Sequence, residues 1–161
     1  MIAPTDDVAA FITAAPIGPL VGLDFGTKTI GVAVSDLSRS VATPLETIKR
    51  KKFTADADAL DAIIAHRRIV GIVLGLPLNM DGTEGPRAQS TRAFARNLSG
   101  RISLPICFWD ERLSTVAAER ALLFADASRQ RRSEVIDHVA AAYILQGVLD
   151  RIHHLEASHD R

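Results

Sequence analysis

Apolar positions fall in short blocks over residues 20–48 and then switch to a helical period. Leu20–Asp24 and Thr29–Ser35 read as two strands. They are joined by Phe25-Gly26-Thr27-Lys28, short enough for a hairpin with Gly26 free to take positive φ. Val41–Ile48 predicts a third strand, with Pro44 tolerable only at an edge or a bulge. No helical pattern precedes residue 53, so the three strands form an antiparallel meander. Phe53, Ala57, Leu60 and Ile64 then recur at helical spacing. Ile69–Leu74 is a β-branched run that predicts a buried strand, ended by Gly75-Leu76-Pro77. Ala88, Thr91, Phe94, Ala95 and Leu98 mark a second helix, and Pro105–Trp109 a fifth strand. Ser114 or Thr115 caps a helix running to about Phe124, and Ser133 caps the last one, to about Arg151. Residues 1–18 carry Pro4, Pro16 and Gly18 and read as a loosely attached extension, with a short helix within Val8–Ile12. This divides the chain into an extension (1–18), one domain (19–152) and a C-terminal tail (153–161).

The order β-β-β-α-β-α-β-α-α predicts an α/β protein: a mixed five-stranded sheet with helices on both faces. In such sheets ligands bind at the carboxyl ends of the parallel strands. Carboxylates stand there. Asp24 closes the first strand, and Asp110 and Glu111 close the fifth. Asp137 shares a helix face with Ala140, Ala141, Ile144 and Val148, so it is expected to point toward the sheet. Each has a plain structural alternative. Asp24 can be a turn residue, Asp110 or Glu111 can pair with Arg112 or Arg120, and Asp137 can be a first-turn acid favoured by the helix dipole. Taken together, clustered carboxylates stay ionised only when cations neutralise them. Oxygen ligands without a His or Cys set point to Mg²⁺ or Mn²⁺. A pair of such ions suits in-line displacement at a phosphodiester.

Composition narrows the class. The 161 residues carry 19 Lys plus Arg against 19 Asp plus Glu, and 47% are hydrophobic. That is one globular domain rather than a wholesale polyanion binder, although a local basic groove is still open. The single cysteine, Cys107, excludes an internal disulfide and fits a cytoplasmic location. The longest apolar run, Val139–Leu145, is far short of a membrane span of about 20 residues. No exposed apolar stripe calls for a dimer, so a monomer or weak dimer is expected.

Four segments resemble one family in its own order. Val21-Gly22-Leu23-Asp24-Phe25-Gly26-Thr27-Lys28-Thr29-Ile30-Gly31-Val32-Ala33 looks like the opening motif of the YqgF (RuvX-like) family. Gly75-Leu76-Pro77-Leu78-Asn79-Met80-Asp81-Gly82-Thr83 and Asp110-Glu111-Arg112-Leu113-Ser114-Thr115 are similar to its middle motifs. Asp137-His138-Val139-Ala140-Ala141 resembles its last acidic motif. The resemblance spans residues 20–150. It implies an RNase H-like fold close to Holliday-junction resolvases, and a nuclease that processes the 5′ end of pre-16S ribosomal RNA. The family's acids fall on Asp24, on the Asp110-Glu111 pair and on Asp137. Within the pair Glu111 is favoured as metal ligand over Asp110, because adjacent strand residues face opposite ways.

Other residues are candidates for holding substrate. Thr27 and Lys28 follow Asp24 in the hairpin loop, and Asn79 lies in a Gly/Pro-rich loop beyond a parallel strand. Arg112 is assigned to a substrate phosphate, with carboxylate pairing as its alternative. Arg129, Arg131 and Arg132 fill a loop leading to Asp137. The run Lys49-Arg50-Lys51-Lys52 reads as solvated surface, and Gln89, Arg92 and Arg96 share a helix face. The expected partner is nucleic acid, pre-16S rRNA or a ribosomal particle before branched DNA. Two rivals stay open. One is an ATPase or sugar-kinase type, suggested by Asp24-Phe25-Gly26-Thr27 before a hairpin but too large for this chain. The other is a non-catalytic RNA- or ribosome-binding module, which predicts that one acid is dispensable.

Overall fold

In the computed structural model residues 2–113 and 129–159 are described, 129–136 and 159 as backbone only. A five-stranded sheet runs β3-β2-β1-β4-β5. β1 (Leu20–Phe25), β2 (Thr29–Ser35) and β3 (Ala42–Lys49) form the antiparallel meander, and β4 (Gly71–Leu76) and β5 (Ile106–Asp110) extend it in parallel. The first three strand boundaries match the alternation closely. β4 runs two residues further than its β-branched core predicts, because Gly75 and Leu76 still pair with Trp109 and Asp110. Pro44 lies on edge strand β3 beside an irregularity opposite Val32 and Ala33, the two settings in which a missing N–H costs no ladder bond.

Each face of the sheet carries its own core. Val21, Leu23, Phe25, Ile72, Leu74, Ile106 and Phe108 meet α2 (Phe53–Arg67) and α3 (Pro86–Ser99). Leu20, Ala33, Val73 and Cys107 meet α1 (Val8–Ala14) and α4 (Arg129–His159). The strict alternation of these sets along each strand is the period-2 signature of a sheet buried on both sides. The helix expected to begin at Ser114 or Thr115 lies outside the described residues.

Both chain ends correct the expectation of loose segments. Phe11 on α1 is 1% exposed and packs in the second core, and Asp7 caps the helix through its side chain. Thr5 bridges to Cys107, accepting from Phe108 N at 2.9 Å and donating to Ile106 O at 3.0 Å. Thr5 thus pairs with part of the outer edge of β5, which would otherwise present unpaired backbone groups. The pattern missed this because one buried Phe in an Ala-rich stretch carries no periodicity. At the other end, 153–159 are the continuation of α4, with His153 bonded to Arg39 O at 2.9 Å.

Candidate active site

Period-2 alternation decides which carboxylates share a face. On β1, Val21, Leu23 and Phe25 point to α2 and α3, so Asp24 points with Leu20 to the α4 side. It is 3% exposed, at the carboxyl end of the strand. Across the ladder Asp24 pairs with Gly31. A Cβ at Gly31 would sit 2.0 Å from Asp137 O, so this glycine admits the backbone of α4 directly against the sheet. Asp137 therefore lies over β2 next to Asp24. Its Oδ2 accepts a 2.5 Å hydrogen bond from the Thr29 hydroxyl, and its neighbour His138 bonds through Nδ1 to Thr47 Oγ1 at 3.0 Å. Because α4 begins at Arg129, Asp137 is inside the helix, and the first-turn dipole account of it does not apply.

The Asp110-Glu111 pair separates where β5 ends at Asp110 and a short helical turn begins at Glu111. Cys107 and Trp109 pack on the α4 side, and the turn after β5 carries Glu111 to that side too. Its Oε1 reaches back over β4, lying 2.8 Å from where a Gly75 Cβ would stand, beside Ile144 of α4. Asp110 is turned away and held by Arg112. Nη2 donates to Oδ2 at 2.8 Å, Nε donates at 3.1 Å, and the Arg112 backbone N–H donates to Oδ1 at 2.9 Å. These hydrogen bonds keep the Asp110 carboxyl below the usual carboxylate range. Asp24, Glu111 and Asp137 thus occupy one face at one end of the sheet, and Asp110 does not. Among the described residues no three His, Cys, Asp or Glu side chains converge as a ready-made cation cage, so the three acids border the site without closing on a point.

Several substrate candidates are engaged within the chain. Arg112 takes the carboxylate pairing rather than standing free for a phosphate, and also donates to Met80 O at 3.3 Å. The fork geometry of guanidinium on carboxylate, two residues apart, explains the choice. Asn79 Nδ2 donates to Thr83 Oγ1 at 2.9 Å, which makes Asn79–Thr83 a self-bonded turn; the Thr83 hydroxyl also holds the Asp81 carboxyl low. Arg129, Arg131 and Arg132 lie in the first turn of α4 and not in a loop, and their side chains are outside the described residues. Arg92 on α3 is paired with Glu84 at 2.6 Å and with Asp6 at 3.3 Å. Thr27 and Lys28 do form the β1–β2 turn. A cleft of about 550 Å³ along the outer side of β5 touches Asp110, Arg92 and Trp109 but not Asp24, Glu111 or Asp137.

One residue the pattern did not single out, Thr29, completes the site. Thr29 was read only as a strand start, although its phase on β2 matches Gly31 and points it at α4. Arg50, read as solvated, donates to Gly26 O at 2.7 Å and Thr27 O at 3.1 Å and lies 4.1 Å over the Phe25 ring.

Comparison with known proteins gives consistent results. A curated relative from Roseobacter denitrificans, named "Putative pre-16S rRNA nuclease", is 69% identical over 97% of this chain and 98% of its own length. One of the same name from Ruegeria sp. is 75% identical over 86% of this chain and 88% of its own. Among solved structures, RuvC of T. thermophilus in complex with a Holliday junction substrate superposes with a TM-score of 0.54 at 12% identity. The match covers 84% of this chain and 96% of that one. That likeness shows the shared RNase H-like fold. A family profile described as "RuvX: Holliday junction resolvase" matches residues 18–151, and on that match and these identities the chain belongs to the RuvX family.

Proposed function

We propose that this protein is a nuclease: a hydrolase of phosphodiester bonds in structured nucleic acid, with the 5′ end of pre-16S ribosomal RNA as substrate. The observation that carries the reading is the common orientation of Asp24, Glu111 and Asp137 at the carboxyl edge of β1 and β5, beneath α4. The relatives' shared name supplies the RNA; the family description keeps a four-way DNA junction as the competing substrate.

The donor set is oxygen only, as hard divalent cations require, so Asp24, Glu111 and Asp137 are the residues that would hold Mg²⁺ or Mn²⁺. Bound there, such ions supply an activated water and charge stabilisation at the leaving oxygen. The chain's own part is positioning. Asp24 is fixed in the central strand and buried, so it cannot relax into water. Thr29 holds Asp137 in one orientation, leaving its Oδ1 for other contacts. Glu111 is laid over Gly75 by the short helical turn after β5.

Cleavage of a pre-16S rRNA leader fragment and of a four-way DNA junction, with Mn²⁺ or Mg²⁺, tests the reading. Asp24→Asn and Asp137→Asn are expected to abolish cutting with the melting temperature unchanged or raised. Wild-type rates in both variants refute the carboxylate assignment, and cutting of the junction alone moves the substrate to DNA.

A further inference from the structure

One basic cluster is not used by the carboxylate site. Arg50 and Arg87 stand on either side of a groove of about 200 Å³ between the β1–β2 turn and the first turn of α3, lined also by Gly26, Thr27 and Ser90. Both guanidinium groups are attached to the same short stretch of backbone. Arg50 Nη1 donates to Gly26 O and Thr27 O, and Arg87 Nη2 reaches Phe25 O at 3.5 Å. Neither has an acidic partner among the described residues, where the arginine ion pairs are those of Arg92, Arg101 and Arg112. Each guanidinium carries five N–H donors, so carbonyl contacts through one nitrogen leave several donors of each facing the groove.

A second groove of about 250 Å³ continues from the first along α3, sharing Phe25, Arg50 and Ser90 and adding Lys51 and Asn97. Its one acid, Asp56, is 4% exposed and its Oδ1 already accepts from Lys51 N at 2.9 Å. The furrow is therefore cationic at its near end, through Arg50, Lys51 and Arg87, and is lined further along α3 by Phe94 and Asn97. Its near end abuts Phe25, the residue after Asp24, so it opens beside the carboxylate edge on the opposite side of the sheet from α4.

We propose that Arg50 and Arg87 form a phosphate-binding site for the nucleic-acid backbone flanking the bond to be cut, and that the furrow along α3 carries that strand away from the acids. This rests on the nuclease reading and deepens it: the carboxylates act on one phosphate, and the arginine pair holds a neighbouring one. Arg50, bonded to Gly26 O and Thr27 O and stacked on Phe25, and Arg87, bonded to Phe25 O, are pre-organised, so little side-chain freedom is lost on binding. The contact is to phosphate and carries no base reading, so it serves RNA and DNA alike.

The test is a salt titration of binding with the full chain in EDTA, so that nothing is cut. Fluorescently labelled pre-16S leader RNA and four-way junction DNA are the probes, and wild type, Arg87→Gln, Arg87→Lys and Arg50→Gln are compared. A lost phosphate contact lowers the slope of log K against log salt by about 0.7 for single strands and 0.9 for duplex. The gap between wild type and Arg87→Gln should then narrow about threefold from 50 to 200 mM salt. Arg87→Lys keeps the charge and should keep the slope. Arg67→Gln, at the far end of α2, serves as control and should change nothing.

An unchanged slope in Arg87→Gln and Arg50→Gln overturns the site even if wild type cuts. A weaker affinity with unchanged slope and a lowered melting temperature also overturns it, because the arginines then act on the hairpin alone. If wild type binds with the arginine-dependent slope but cuts neither probe, the site stands and the nuclease reading falls. If wild type binds neither probe, both fall.

Discussion

The Thr29 hydroxyl donates to Asp137 Oδ2 at 2.5 Å, joining the first residue of β2 to a helix 108 positions later in the chain. A short, charge-assisted bond between distant elements does two things. It fixes the rotamer of a proposed ligand, and it ties the meander to α4.

Thr29→Val keeps the shape and removes the donor. It is expected to cost about 1.5–3 kcal/mol in urea unfolding, the range for a hydrogen bond to a charged group. It should lower cleavage more than substrate affinity. A variant with wild-type stability and rate would show that the bond is not formed in solution.

Gly31→Ala places a methyl at the Asp137 carbonyl, at 2.0 Å from its oxygen in the present arrangement. Backbone cannot yield as a flexible side chain does, so α4 must move. We expect a loss of about 1–3 kcal/mol or more and loss of cutting even at temperatures where the variant is fully folded. Circular dichroism melts beside activity at 25 °C separate the two effects.

The Asp110-Glu111 pair should divide sharply. Glu111→Gln is expected to stop cleavage without lowering the melting temperature. Asp110→Asn should keep cleavage and lose a modest, pH-dependent contribution. Because Arg112 depresses the Asp110 carboxyl below its ordinary 3.8, the pair stabilises the fold above that value. The contribution fades as the pH falls through the lower folded-state value. Unfolding free energy of wild type and Asp110→Asn should therefore converge in acid and differ at neutral pH. Loss of activity in Asp110→Asn but not in Glu111→Gln would reverse the assignment.

Phe11→Ala removes the anchor of α1 from the second core and is expected to cost about 3–5 kcal/mol, as for a fully buried Phe. A freely hanging extension would show no change. Amide hydrogen exchange of Phe108, whose N–H is bonded to Thr5 O, should speed up in the same variant.

Burial, with Asp6 and Asp7 nearby, pushes the Cys107 thiol up to about 12. A thiol reagent at pH 8 should label the protein only as fast as it unfolds. Rapid labelling of the folded chain would place Cys107 nearer the surface than the central strand position implies.

Much of this was legible in the chain. Alternation gave the meander and β-branched runs gave β4 and β5, because strand geometry has a fixed period; the same period implied that only one of Asp110 and Glu111 faces the site. What stayed hidden depended on contacts across the sequence. Arg112 and Arg50 read as cations in search of a phosphate or of water. The fold decides for the carboxylate alternative at Arg112, which Asp110 takes, and shows that the carbonyls of Gly26 and Thr27 hold Arg50. Thr29 was invisible for the same reason: a strand-opening threonine is common, and its partner is more than a hundred residues away. Phe11 was missed because one apolar side chain has no period.

The backbone bridge between Thr5 and Cys107 also sets an order of events during synthesis. The amino-terminal segment leaves the ribosome about a hundred residues before the strand it must pair with. Asp24 emerges early as well, while Glu111 and Asp137 come late. The three acids therefore cannot face one another until nearly the whole domain is out. A nascent chain would hold a paired meander and an inert Asp24, and the site would form only as β5 docks between β4 and Thr5 and α4 closes over the sheet.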